Sequence, residues 1–200
     1  MRVRSFGDRA LLLECGGTAE VRAAYAEALR RRDAGELSCS DVVPAARTLL
    51  LDGLEEPSAV SLEGWPTEPP DDAEGALVEL AVSYDGPDLE SVAAHCGLDV
   101  DEVVRRHREA EYVVAFCGFA PGFAYLTGLP PELEVPRLDE PRSNVPTGSV
   151  GLAGTFTGVY PRSSPGGWQL IARTGAPLWD VDRDPPALLT PGTRVRFTDG

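Results

Sequence analysis

With 200 residues, 42% of them hydrophobic and 25% charged, the chain has the composition of a globular protein able to bury a core, as one large domain or two small ones. A formal charge of −14 argues against a phosphate-backbone binder and against docking on anionic membranes, so neither a nucleic-acid nor a membrane partner is expected. All 18 basic residues are Arg and none is Lys, which excludes a Walker-type phosphate loop and Schiff-base catalysis.

No run approaches 18 consecutive apolar residues, and MRVRSFGDRALLLECGG lacks the long apolar region of a secretory leader, so a cytoplasmic location is expected. The segments RVRSF and ALLLE predict a strand pair turning at Gly7-Asp8. TAEVRAAYAEALRRRD then places Val21, Ala24, Tyr25, Ala28 and Leu29 on one helical face, with Thr18 expected as N-cap and Gly35 as the stop. SDVVPA and ARTLLLDG read as strands, and EPSAVSLEGW as a second helix. Residues 1–66 are therefore expected to form a small α+β domain. WPTEPPDDAEG carries three prolines, four acids and no apolar periodicity, which predicts a linker over 67–75.

Residues 76–200 are expected to form a mainly-β domain. ALVELAVSY reads as a strand, and DLESVAAHCGL as a short helix capped by Asp88 and stopped by Gly97. DVDEVVRRHREA has Asp99 and Glu102 at capping-box spacing, with Val100, Val103, Val104 and His107 on its apolar face. That position reads His107 as a core residue. EYVVAFCGF is a continuous apolar run, as for a strand buried on both faces. Beyond it, prolines and glycines punctuate the short strands GSVGLAG, TGVYP, WQLIAR and TRVRF, the pattern of a barrel or sandwich.

Three stretches carry candidate chemistry. GFAPGFAYLTGLP, Gly118 to Pro130, holds no charge yet is too broken by Pro and Gly for a helix; it fits a cleft wall or a surface covered by another chain. EPRSNVPTGS presents Arg142 between prolines, either as a binding guanidinium or in an ion pair with nearby acids. SSPGGWQLIART turns sharply at Gly166-Gly167, and strand alternation would point Gln169 and Arg173 together, away from Trp168. Such a pair suits a carboxylate or amide ligand, or else a structural network. Gly148 and Ser149 match neither a phosphate fingerprint nor a nucleophile elbow. Cys15, Cys39, Cys96 and Cys117 form no C-x-x-C pair, and no metal site is expected.

Together, FGDRALLLE, GFAPGFAYLTGLP, VPRLDEPRSNVPTGSVGLAG and TGVYPRSSPGGWQLIART resemble the 5-oxoprolinase B-subunit family, also called allophanate hydrolase subunit 1, which includes the sporulation-kinase inhibitor KipI. The resemblance implies an α+β domain followed by a cyclophilin-like β-barrel. It also implies partners, a C-subunit homologue and the A-subunit of 5-oxoprolinase. With them it implies an ATP-dependent opening of 5-oxoproline to L-glutamate, with ATP, and Mg at the level of the complex, met either by Arg and backbone donors of this chain or largely on the partner. It leaves room for a non-enzymatic inhibitor of a sensor histidine kinase, or for a role in urea or allophanate metabolism. It assigns no catalytic residue. The cleft candidates are Phe119, Pro121, Gly122, Phe123, Tyr125, Arg142, Gly148, Ser149, Gly166, Gly167, Trp168, Gln169 and Arg173.

Overall fold

The structure, a computed structural model, describes residues 1–69 and 75–200. The linker expected over 67–75 falls mainly on 70–74, outside the described residues. The chain is mostly β with few helices, and it divides into two compact units, Met1–Glu74 and Gly75–Gly200.

In the first unit, β1 (Arg2–Ser5), β2 (Leu11–Glu14), β3 (Asp41–Pro44) and β4 (Thr48–Asp52) form an antiparallel sheet in the order β1-β2-β4-β3. The helix α1 (Thr18–Asp33) buries Ala24 and Ala28 against Leu11, Leu13, Leu49 and Leu51 of that sheet. Period 3.6 on the helix and period 2 on the strands thus meet in one core. Two expectations change. The N-cap is Gly17, not Thr18; Thr18 opens the helix and donates its hydroxyl to the Ala46 carbonyl, while Glu20 reaches back to the Gly16 amide. The second helix is absent: its sequence gives a single 3₁₀ turn at Pro57–Ala59. Val60 and Leu62 instead pack singly on the core, and Trp65 is buried with its indole N–H on the Ser61 carbonyl and Arg31 over its ring.

The second unit is a nearly closed, barrel-like sheet. Its strands are β5 (Leu77–Val82), β6 (Tyr112–Cys117), β7 (Ala124–Thr127), β9 (Ser149–Ala153), β10 (Phe156–Val159), β12 (Gln169–Arg173) and β13 (Arg194–Asp199), in the order β12-β9-β10-β7-β6-β13-β5. A separate ribbon joins β8 (Arg142–Val145) to β11 (Ser164–Gly166). The two ends of the sheet are brought together by the chain that follows β5: Ser83 exchanges both backbone bonds with Arg173, and the Gly86 and Asp88 amides donate to Ile171 and Leu170. Position 86 admits only glycine here, because a Cβ would lie 2.4 Å from the Leu170 oxygen.

The helices α2 (Leu89–Cys96) and α3 (Val100–Glu109) follow the closing segment. Gly97 ends α2 in the left-handed conformation, and Asp99 caps α3 by accepting from the Glu102 amide. The Asp88 carboxylate makes no capping bond to α2, contrary to expectation, because it is engaged elsewhere. His107 is fully buried as expected. Thr157 donates its hydroxyl to the Gly151 carbonyl, so its oxygen accepts from His107 Nε2–H, and Nδ1 accepts from Tyr84. Burial lowers the His107 pKa to about 3.

A neutral buried imidazole has a stability signature. Its folded pKa lies below the unfolded one, so the unfolded chain takes the proton first, and stability is lost as pH falls from about 6.5 toward 3. Urea unfolding is expected to show a loss of about 1 to 2 kcal/mol between pH 6.5 and pH 5. His107→Gln should flatten that slope; an unchanged slope in the variant would contradict the assignment.

Candidate functional site

The uncharged stretch after β6 divides its side chains between two tasks. Phe123, Ala124, Leu126 and Leu129 are buried, whereas Phe119 stays 60% exposed. Phe119 is the non-Gly residue with positive φ among the described residues, at 69°, held between a short Ala120-to-Gly118 backbone bond and a Phe123-to-Ala120 bond. For a bulky side chain that conformation is strained, and strain of this kind gathers at ligand sites. Gly122 packs directly on the backbone of Leu178 and the Cβ of Trp179, and Trp179 itself stays partly exposed beside this loop.

Strand alternation separates two apolar clusters in this unit. Val150 and Leu152 face one; Gly151 and Ala153 face the other, which gathers Phe123, Tyr160, Trp168 and Leu170 with Tyr125 and Phe156 packed on it. Phe123 stands edge-on to Trp168, Tyr160 and Tyr125 at centroid distances of 5.1 to 5.3 Å. Tyr125 meets Trp168 at 5.5 Å and stacks on Phe116 at 4.3 Å, so each ring is fixed by at least one other.

A pocket of about 100 Å3 opens among Phe119, Phe123, Tyr125, Tyr160 and Trp168, floored by Gly166 and Gly167, with Arg137 at its edge. Gly166 is needed for this floor: a Cβ there would stand 2.3 Å from the Tyr160 hydroxyl. Desolvation raises the pKa of both the Tyr125 and Tyr160 phenols, and the Arg137 charge acts on both in the opposite sense. The lining holds no carboxylate, imidazole or thiol. Such a pocket binds and orients; it carries no acid–base pair. Among the described residues, no group of three or more His, Cys, Asp or Glu is placed to hold a metal.

The remaining candidates sit apart from the pocket. Gly148, Ser149 and Arg173 lie at the far end of the β9–β12 pair from Trp168, roughly 13 Å away at strand rise. There Arg173 borders a broad, open groove of about 480 Å3 with Thr147 and Thr174. Gln169 and Arg173 do not share a face. A bulge between Leu170 and Ala172 inserts one residue, so Gln169 pairs with Leu152 while Arg173 pairs with Ser149, on opposite sides of the sheet. Arg173 is bound to Asp85 near the surface, and the Gln169 amide donates to the Pro136 carbonyl at 2.9 Å. Pro121 is exposed in the loop.

Arg142 is not a free guanidinium. It donates to Asp88 at 2.6 Å and, at 3.4 Å, to the Trp168 carbonyl, while the second Asp88 oxygen accepts from the Leu170 amide at 2.6 Å. Its partner is therefore an acid 54 positions upstream, not one of the acids beside it in the chain. Arg137, by contrast, has no ion-pair or hydrogen-bond partner for its side chain among the described residues. Sequence reasoning misses it because it lies in an acid-rich run, VPRLDEPR, that reads as solvated surface.

Residues 1–189 match the family described as the carboxyltransferase domain, subdomains C and D. The chain is 50% identical over 153 residues to a protein of Escherichia coli O157:H7 named as the B-subunit of 5-oxoprolinase, a match covering 75% of this chain and 68% of that one. A Bacillus subtilis (strain 168) protein of the same name is 48% identical over 124 residues, 60% of this chain and 52% of its own length. The crystal structure of TTHA0988 superposes with a TM-score of 0.79 at 36% identity, covering 96% of this chain but 40% of that one. The chain thus spans about half to two thirds of these relatives and less than half of TTHA0988.

Removing Arg142 leaves the Asp88 carboxylate, 7% exposed, with one backbone donor. Arg142→Ala is expected to cost roughly 2 to 4 kcal/mol in urea unfolding. Arg173→Ala, at an exposed pair, should stay within about 0.5 kcal/mol of the parent. Equal effects at the two positions would contradict these assignments.

Proposed function

Because this chain belongs to the 5-oxoprolinase B-subunit family, we propose that it is the B component of an enzyme that opens the lactam ring of 5-oxoproline to L-glutamate with hydrolysis of ATP. The geometric observation that carries this reading is the small aromatic pocket with a guanidinium at its edge and no acid–base pair in its lining. It is a place to hold a small ring, and hydrolysis must draw its reacting groups from elsewhere. That division of labour suits a component that works with a C-subunit homologue and the A-subunit in the cytoplasm.

Under this reading the second unit is a cyclophilin-like barrel whose value lies in rigid presentation of the pocket. Prolyl isomerase activity does not follow from the fold. With no Lys in the chain, any nucleotide phosphate met on this component is held by Arg and backbone amides, and ATP with its Mg lies largely on the partners. Phe119, Pro121 and Trp179, exposed around the loop, are the surface those partners cover.

Mixing the purified chain with the A and C components is expected to give ADP release that depends on 5-oxoproline and on all three proteins. An assembled complex that releases no ADP in response to 5-oxoproline would overturn the assignment.

A further inference from the structure

We propose that the aromatic pocket seats a small ring carboxylate, the ring enclosed by Phe123, Tyr125, Tyr160 and Trp168 and the carboxylate held at the mouth by Arg137. Resting on the reading above, the ligand is 5-oxoproline. Five observations lead there.

Size limits the ligand. An apolar cavity of about 150 Å3 accepts benzene, so a pocket of about 100 Å3, open on one side, takes a five-membered ring with its substituents facing outward. The walls then set its character: they are rings locked edge-to-face, which receive an apolar ring without having to reorganise. Two phenols line it: the Tyr160 oxygen already accepts from the Trp168 backbone amide and keeps its O–H to donate, and the Tyr125 phenol adds a second neutral hydrogen-bonding group for a lactam amide.

Charge selects the sign. Aromatic faces alone favour cations, but the one charged residue of this lining is Arg137, and no carboxylate of the lining opposes it. The other two candidate arginines are consumed, Arg142 by Asp88 and Arg173 by Asp85. In a chain of net charge −14, a guanidinium that has no ion-pair partner among the described residues and lies beside an acid-free lining is a local anion site.

Arg137 is also held in place. The segment bearing it is fastened to the barrel at three successive points: the Gly154 amide donates to Val135, the Gln169 amide to Pro136, and the Leu138 amide to Gly167. Gln169 is thus a positioning residue, acting through the backbone beside Arg137. Phe119, also in the lining, keeps its strained backbone with its ring edge-to-face on Phe123 and Tyr160, at centroid distances of 5.3 and 6.2 Å.

The test is ligand-observed NMR on the full chain, with L-5-oxoproline, cyclopentanecarboxylate and 2-pyrrolidinone as probes. Both carboxylates are expected to receive saturation at their ring protons, and 2-pyrrolidinone to bind on the order of tenfold more weakly. Arg137→Ala should bring the carboxylates down to the 2-pyrrolidinone level with no change in Tm, and Arg137→Lys should restore part of the difference. Absence of carboxylate binding, equal binding of 2-pyrrolidinone, or an Arg137→Ala chain that binds as the parent does would each overturn the proposal. In the complex with the A and C components, Arg137→Ala should raise KM for 5-oxoproline on the order of tenfold with little change in kcat. Turnover with KM and binding unmoved by Arg137→Ala removes the pocket and leaves the role in the complex. Arg137-dependent binding without turnover in the assembled complex removes the role and leaves the pocket.

Discussion

The carboxylate of Asp88 joins three stretches of chain that are remote in sequence. One oxygen takes the Arg142 guanidinium of β8, the other the Leu170 amide of β12, and its own backbone amide donates to Leu170 across the seam where the sheet meets itself. A carboxylate withdrawn from water is tolerated only when its oxygens are met by donors. Here meeting them shuts the barrel and pins the β8–β11 ribbon against it. Gly86, with its lack of a side chain, lets the closing segment come near enough for the bonds to form.

What closes the barrel also builds the pocket. Arg142 donates to the Trp168 carbonyl while tied to Asp88, so the residue forming one wall is anchored from behind. The strand carrying Trp168 and Leu170 turns those side chains toward the aromatic cluster and, past its bulge, sends Ile171 and Ala172 into the main core. One strand thus serves two apolar clusters on opposite faces of the sheet. The aromatic residues therefore answer to packing first; the pocket is the space that the edge-to-face contacts and the absent Gly166 side chain leave unfilled.

Local signals are legible in the sequence and long-range ones are not. The apolar periodicity of α1, the Asp99 cap and the unbroken run of β6 are properties of neighbouring residues, and each matches the element found. His107 reads as core from its place on the helix face, although its two hydrogen-bond partners lie 23 and 50 positions away. The helix expected at Glu56–Trp65 does not form because spacing alone does not show that Val60, Leu62 and Trp65 pack individually. Asp88 reads as a cap since nothing local reveals a partner at 142. The bulge in β12 has no residue signature, and it reverses which face Arg173 occupies. The family motifs lead to the walls of the pocket, yet Arg137 sits among acids that make it look ordinary.

The fastening of residues 135–138 has a consequence for how such a site changes over time. The rings that give the pocket its shape are shared with the barrel's interior packing, so altering them endangers the whole unit. The guanidinium rides on a surface strap tied down through main-chain atoms, which do not care what side chain hangs between them. The cage is therefore costly to alter, whereas the side chain at 137, and with it the charge at the entrance, can be exchanged with almost no penalty to folding.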